Sequence, residues 1–141
     1  MKKFRGFTFI EILVTVTIIS LLTAVAVVTY SSFMKQARDA KRKADLGQIS
    51  AALEMYRSNN DTYPVGSNWA TTLNVLKSPV VYIQTLPTDP KNPTYIYYYS
   101  STTGSDYTLG THLENDLTTC QSLSTQCTSN CTYCLGPYGE K

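Results

Sequence analysis

The sequence predicts an α+β protein in which one long N-terminal helix is followed by a head built on a small antiparallel β-sheet. Three observations lead to this fold class. Residues 12–34 carry no charge. Apolar residues keep a helical spacing of three and four as far as residue 56, with no proline between residues 7 and 57. Strand-forming residues then flank a turn between residues 95 and 113.

The composition excludes several classes of function. The 141 residues suffice for one ordinary domain, and the net charge of +2 is too small for a dedicated nucleic-acid binder. His112 is the single histidine, which argues against histidine-dependent catalysis or a histidine zinc site. The chain has no Walker loop, no dinucleotide-binding glycine turn and no Ser/His/Asp set. We therefore expect no enzyme.

The first half of the helix, residues 7–34, is predicted to span a membrane. A helix needs about 20 predominantly apolar residues to cross a bilayer, and the few hydroxyl side chains here can bond back to the helix. A secretory signal peptide is the other interpretation. The basic start fits such a peptide, but the apolar run is too long and no small-x-small cleavage site ends it.

Glu11 is the only charged residue in this half of the helix. A carboxylate in the bilayer costs up to roughly 2.5–3.5 kcal/mol and marks a functional position that needs a partner. Residues 6–14, Gly-Phe-Thr-Phe-Ile-Glu-Ile-Leu-Val, closely resemble the class III signal of type IV pilins and type II secretion pseudopilins. The resemblance implies that residues 1–6 are a leader, that a prepilin peptidase cuts between Gly6 and Phe7, and that Phe7 is then N-methylated.

The resemblance also assigns Glu11 to filament assembly. Cleavage would create a positive amine on Phe7, and on a helix residues 7 and 11 share a face. Glu11 could pair with its own amine or, as the resemblance implies, with that of a neighbouring subunit. The implied partners are further copies in a helical filament, the prepilin peptidase, the inner-membrane assembly platform and the membrane. Nucleic acid is not expected as a partner.

The implied location is the inner membrane, spanned once, with the head outside the cytoplasm and later in a cell-surface filament or a periplasmic pseudopilus. Counting charges alone predicts the reverse orientation, because fewer cations precede the span than follow it. The cations are Lys2, Lys3 and Arg5 before it and Lys35, Arg38, Lys41, Arg42 and Lys43 after it. The resemblance overrules this count, since the cleavage site must face a cytoplasmic peptidase.

The second half of the helix, residues 35–58, should pack under the head and end at Asn59-Asn60-Asp61. Its apolar face is predicted to run through Lys41 and Ala44 to Tyr56, leaving Arg38, Arg42 and Asp45 on the polar face. The basic cluster at residues 35–43 is best interpreted as a solvated face, with lipid head groups or DNA as alternatives. Family members often carry proline where Val28 stands and glycine where Ser20 stands, so we expect a more continuous helix here.

The head comprises residues 59–141. Residues 69–77 predict a short helix. Residues 86–90, Leu-Pro-Thr-Asp-Pro, form a rigid link that resembles a motif of major pseudopilins. Residues 95–99 and 107–113 predict an antiparallel hairpin around a turn at residues 103–106. Its apolar face should cover Ile49, Leu53 and Tyr56, and His112 should face solvent.

The tail, residues 120–134, contains all four cysteines: Cys120, Cys127, Cys131 and Cys134. An even number beyond an export segment favours two disulfides, with three pairings open, over a four-thiolate zinc site. No cofactor is expected, although some pseudopilins bind calcium in the preceding region. The acids there are Asp106, Glu114 and Asp116, beside Asn115. Their spacing is not that of an EF-hand, so surface loop acids are the favoured interpretation.

The sequence thus predicts a structural subunit of a type IV pilus-like filament, with pilus and type II secretion pseudopilus left open. The alternative is a single-pass, membrane-anchored extracytoplasmic binding module that does not polymerise. Replacing Glu11 by alanine separates the two, because only a filament subunit would lose assembly.

Overall fold

A computed structural model describes residues 6–116, 119–120, 123, 127 and 131–141, with only the backbone at Val28. Helix α1 (Phe9–Asn60) is followed by the short helix α2 (Trp69–Thr72) and a 3₁₀ helix (Leu73–Leu76). Four strands follow: β1 (Tyr98–Ser100), β2 (Thr108–Thr111), β3 (Tyr133–Gly136) and β4 (Gly139–Glu140). They form one antiparallel sheet in the order β1-β2-β3-β4. The predicted α+β class is confirmed.

Helix α1 is one uninterrupted element of 52 residues, which confirms the more continuous helix predicted from the missing proline and glycine. It ends where the Asn59-Asn60-Asp61 sequence predicts. Asp61 adopts a left-handed conformation with φ 58°, and its backbone N–H donates to the carbonyl of Arg57 at 2.8 Å. A left-handed residue of this kind cannot continue the helix, and its N–H satisfies one of the last free carbonyls.

The chain divides into two compact units, of which the first ends at Lys35. Within it, Phe9–Val27 is long and apolar enough to cross a membrane. The apolar side chains described there are exposed, whereas each hydroxyl from Thr15 to Thr29 donates to a helix carbonyl three or four residues earlier at 2.7–3.2 Å. The helix therefore satisfies its own polar groups and presents an apolar surface, as a membrane requires.

The second unit, Gln36–Lys141, is the head with its half of α1. Leu46, Ile49 and Leu53 of α1 are fully buried. They share one core with sheet residues and with residues of the connecting segments. These partners are Tyr63, Leu73, Leu76, Ile83, Tyr97, Tyr99, Tyr107 and Leu109. The predicted packing of the hairpin on Ile49 and Leu53 is confirmed.

The predicted hairpin is also confirmed, since β1 and β2 pair antiparallel with Tyr99 opposite Leu109. Gly104 supplies the turn at φ 76°, a conformation that other residues rarely adopt. Strands β3 and β4 were not predicted. The signal for them was present, because Tyr133-Cys134-Leu135 is rich in strand formers and Gly136-Pro137-Tyr138-Gly139 is a turn sequence.

Two local predictions were wrong. On α1, Lys41 and Ala44 are exposed, while Arg42 is fully buried, so the buried face is rotated from the predicted one. His112 lies beyond the end of β2 and is half-buried, with its ring stacked on that of Tyr95 at 4.5 Å between centroids. Both errors arise because the head buries charged and aromatic groups that a hydrophobicity pattern assigns to solvent.

Candidate functional site

Two parts of the molecule carry functional chemistry. The first is the assembly segment, defined as residues 6–11. The second is the ion cluster, defined as Arg38, Asp39, Arg42, Asp89, Lys91 and Glu114. The assembly segment contains a single carboxylate next to the predicted cleavage site. The ion cluster brings together charged residues that were predicted to lie on a solvated helix face or in loops.

In the assembly segment, Glu11 forms a capping box with Thr8. The Thr8 backbone N–H and hydroxyl each donate to Glu11 Oε2 at 3.1 Å, and the Glu11 N–H donates to Thr8 Oγ1 at 3.3 Å. Such reciprocal bonds satisfy N–H groups that have no partner inside the helix, and the helix dipole favours a carboxylate there. This capping role was not predicted, although Thr-x-x-Glu before an apolar run is its signature.

Gly6 and Phe7 lie immediately before the cap, outside the helix. Phe7 is 83% exposed, so the bond between the two residues lies at an open position of the chain. The helix begins at Phe9, two residues later than the sequence analysis placed it. Residues 7 and 11 would share one face of the helix only if the helix extended by about half a turn towards the N-terminus. In this structure the Glu11 carboxylate accepts hydrogen bonds from Thr8 instead.

In the ion cluster, Arg42 is the central cation. Its Nε and Nη2 bind the two carboxylate oxygens of Asp89 at 2.7 and 3.0 Å, and its Nη1 binds Asp39 at 2.8 Å and Glu114 at 3.0 Å. The side chains of Arg42 and Asp89 are completely buried. The planar guanidinium fork matches a carboxylate in two places, which a lysine could not do.

Glu114 is the central anion of the same cluster. Arg38 binds both of its oxygens at 2.6 and 2.7 Å, and Lys91 binds Oε2 at 2.9 Å. Asp39 accepts hydrogen bonds from the backbone N–H groups of Glu114 and Asn115 at 2.9 and 3.0 Å. Three cations and three carboxylates thus balance, and they join α1 to the link at residues 86–90 and to the segment after β2.

The pKa values reflect these contacts. The hydrogen bond from Arg38 is the largest cause that lowers the pKa of Glu114 far below its usual range, followed by those from Lys91 and Arg42. For Arg42, burial acts against the charged form, but the hydrogen bonds to Asp89 and Glu114 outweigh it and raise the pKa. The charges of Glu114 and Arg42 therefore persist through the physiological pH range.

This arrangement corrects the interpretation of residues 35–43 as a wholly solvated face. Arg38 and Arg42 bind carboxylates of the head, whereas Lys35 and Lys41 remain exposed. The sequence did contain a signal for a buried ion pair, because Asp89 of the link Leu-Pro-Thr-Asp-Pro is the partner of the buried Arg42. Nothing in the sequence specifies Glu114 as a partner, since it lies 72 residues from Arg42.

Two of the three calcium candidates, Asp106 and Glu114, bind cations of the chain itself. Calcium takes six to eight oxygen ligands, but the carboxylate of Glu114 is already held by three cations, and Asp106 binds Lys141 at 2.8 Å. Across the described part of the chain, no group of three acidic, histidine or cysteine side chains is arranged to hold a metal. Glu114 is also nearly buried, unlike the surface acid expected.

The cysteines form two disulfides, Cys120–Cys134 and Cys127–Cys131, with Cα–Cα distances of 5.8 and 5.7 Å. This selects one of the three pairings that the sequence left open. Cys134 lies in β3 opposite Gly110 of β2. A Cβ at Gly110 would approach Leu123 Cδ1 to 2.6 Å and Cys131 Sγ to 2.9 Å, so glycine permits these two side chains to pack on the sheet.

Comparison with known proteins adds a family to this geometry. The family described as "Prokaryotic N-terminal methylation motif" matches residues 1–27, and the family "Type II secretion system (T2SS), protein G" matches residues 29–122. No solved structure matches the chain significantly.

Three relatives illustrate the similarity. "Type II secretion system core protein G" of Pseudomonas aeruginosa is 35% identical over 114 residues, covering 73% of this chain and 79% of the relative. The protein of that name from Escherichia coli K12 is 29% identical over 135 residues, 82% and 90% of the two chains. "Type IV wide pilus major component PilA4" of Thermus thermophilus is 35% identical over 79 residues, 55% and 59%. The chain therefore belongs to the type II secretion system protein G family and begins with a prokaryotic N-terminal methylation motif.

Proposed function

We propose that this protein is the repeating subunit of a type II secretion pseudopilus, cut after Gly6 by a prepilin peptidase, methylated on Phe7 and assembled through its N-terminal helix. As a member of the protein G family it is a structural filament subunit of the pilin and pseudopilin class. The non-polymerising anchored module is not favoured. Relatives named for type II secretion match more of the chain than the wide-pilus component does, which supports a pseudopilus.

The observation that carries the assembly step is the isolated carboxylate of Glu11. It is the only charge in the apolar half of α1, and its partners within the part of the chain that the structure describes are the neutral groups of Thr8. Hydrogen bonds from neutral groups leave the negative charge uncompensated in an apolar environment, which is costly. A neighbouring subunit's new amine at Phe7 supplies the missing positive charge. Uncut chains lack this amine, so cleavage would license assembly.

The proposed location is a single span of the inner membrane with the head outside the cytoplasm. Two disulfides in the head agree with an oxidising compartment. The peptidase, the inner-membrane assembly platform and further copies of the chain are the proposed partners. We propose no catalytic activity and no cofactor. Calcium dependence is tested by comparing thermal unfolding in calcium and in a chelator, and an unchanged midpoint is expected because cations of the chain already occupy Glu114.

Mass spectrometry of the N-terminal peptide from sheared and membrane fractions tests the processing. We expect a peptide that begins at methylated Phe7. Its recovery only from membranes would fit a short pseudopilus, whereas abundant recovery from sheared cell-surface material would indicate a pilus. An intact Met1, or a cut well inside the apolar segment, would overturn the processing proposal.

Paired variants separate the charge of Glu11 from its capping role. Glu11→Gln keeps an amide oxygen for the capping box but removes the charge, while Thr8→Ala removes the cap and keeps the charge. We expect Glu11→Gln to abolish filaments detected by cross-linking and Thr8→Ala to reduce them less. Equal assembly by Glu11→Gln and the unmodified chain would refute the proposed charge pairing.

A further inference from the structure

A cleft of about 510 Å³ opens in the head between α2, the link at residues 86–90 and the start of β1. It lies within the size range of small-molecule sites. Its walls are largely apolar and include Trp69, Pro87, Ile96 and Tyr97. None of the residues that line the cleft belongs to the assembly segment.

The aromatic side chains of the cleft are held in place. The rings of Trp69 and Tyr97 lie 5.2 Å apart with a 58° tilt. Tyr97 is 3% exposed, and its hydroxyl donates to Asp45 at 2.7 Å. Trp69 begins α2, whose first turn is fixed by the Asn68 side chain accepting from the Thr71 N–H at 2.9 Å. The aromatic surface is therefore preformed and need not be ordered by a ligand.

Polar side chains surround this aromatic surface. Ser67, Thr88 and Asn92 line the cleft, are exposed, and make no side-chain hydrogen bond with another described residue. Together they offer two hydroxyls and an amide, which can donate and accept. A purely apolar ligand would remove these groups from water without replacing their hydrogen bonds, which opposes its binding.

The described residues that line the cleft offer no free charge to an ion. Asp89 is the only carboxylate among them, and both oxygens of Asp89 are bound by the buried Arg42. The same set of described residues contains no lysine or arginine. A charged ligand, including a nucleic-acid phosphate, would therefore find no opposite charge here.

We propose that this cleft binds a neutral saccharide. A sugar ring presents C–H groups on its faces, which suit the partly exposed ring of Trp69 that packs on the buried Tyr97. It presents hydroxyls at its edge, which suit Ser67, Thr88 and Asn92. A neutral ligand needs no opposite charge from the residues that line the cleft. The filament subunit would in this way carry a carbohydrate-binding site on its head, a role distinct from assembly.

Trp69 is the only tryptophan of the chain, so its fluorescence reports directly on the cleft. The full chain is purified in a detergent without a sugar head group, and cellohexaose and N-acetylchitohexaose are titrated separately. We expect a saturable change in Trp69 fluorescence with at least one of them. Asn92→Ala should weaken that binding about fivefold, the effect of losing one neutral hydrogen bond. Asn74→Ala, an exposed asparagine outside the cleft, should leave it unchanged.

Three results would overturn the proposal. The first is the absence of a saturable change with either hexasaccharide up to about 10 mM, a concentration that reveals even weak complexes. The second is saturable binding of a neutral capped hexapeptide without binding of either saccharide, which would make the cleft a peptide site. The third is that Asn92→Ala and Asn74→Ala bind the saccharide with equal affinity, provided that Thr88→Val also binds it as tightly as the unmodified chain does. Thermal unfolding checks that each variant is folded, and none of these results depends on filament assembly.

Discussion

The two halves of helix α1 differ in the partners of their charged side chains. The half before Lys35 carries one carboxylate, Glu11, whose partners among the described residues are neutral groups of Thr8. The half in the head buries Arg42 among three carboxylates, with Arg38 and Lys91 completing a balanced set. The paired charges of the head join its segments to the helix. Under the proposed function, the positive charge that pairs with Glu11 comes from a second chain.

The strongest test of this comparison is Arg42→Met. Removing the guanidinium leaves Asp89 buried and unpaired, so we expect the head to lose about 3–5 kcal/mol of unfolding free energy. Urea denaturation followed by circular dichroism measures the loss. Lys41→Met changes the neighbouring exposed cation and should cost less than about 0.5 kcal/mol. Equal losses for the two variants would contradict a structural role for the ion cluster.

The disulfides should provide the next largest effect, because each closes a loop of the head and their cysteines lie outside the ion cluster. Cys120 and Cys134 are 14 residues apart, and Cys127 and Cys131 are 4 apart. From loop-closure entropy, replacing the first pair by serine should cost about 3 kcal/mol and replacing the second about 2 kcal/mol. Denaturation of the two double variants checks the order. A larger loss from the second pair would show that loop length does not govern their contributions.

Acid should destabilise the head through Glu114. The folded-state pKa of Glu114 is lowered from its ordinary value of 4.5, chiefly by Arg38. The unfolded state therefore binds more protons, so this contribution is complete above about pH 5 and declines continuously as the pH falls below it. A series of unfolding measurements between pH 2 and 7 reveals the slope. Glu114→Gln should flatten it, and an unchanged slope in that variant would assign it to other carboxylates.

Alkali should act on the core tyrosines instead. Burial raises the pKa of Tyr107 to about 12 and raises those of Tyr97 and Tyr99 further. Here the folded state holds its protons more tightly, so the stability contribution is complete below pH 10 and is lost as the pH rises above it. Tyrosinate absorbance near 295 nm should therefore appear for these residues only as the head unfolds. Their ionisation at pH 10 in a folded head would contradict the packing.

The smallest expected effect concerns a polar atom without a partner. Thr111 Oγ1 is buried in β2 and makes no hydrogen bond, the single such side-chain atom within the described residues. Thr111→Val removes the hydroxyl at nearly constant volume, so we expect a gain of up to about 1 kcal/mol. Thermal unfolding measures the change, and a loss above 1 kcal/mol would show that the hydroxyl has a partner in solution.

Much of the fold was predictable because it depends on local pattern. The uncharged run, the spacing of apolar residues and the Asn-Asn-Asp stop specified α1, and the turn around Gly104 specified the first hairpin. Strands β3 and β4 were missed because they are short and follow a polar tail. The capping box was also readable, since Thr8 and Glu11 are neighbours on the chain and need no tertiary contact.

The sequence by itself determined the long helix, the cleavage and methylation motif, the isolated charge of Glu11 and the presence of a cysteine-stabilised head. Only the tertiary structure decided the buried face of α1, the partners of Arg42, the disulfide pairing and the aromatic cleft. The physical reason is the range of the interactions. A helix and its cap form from residues within four positions of one another, whereas Arg42, Asp89 and Glu114 meet only after the link and the sheet have packed against the helix.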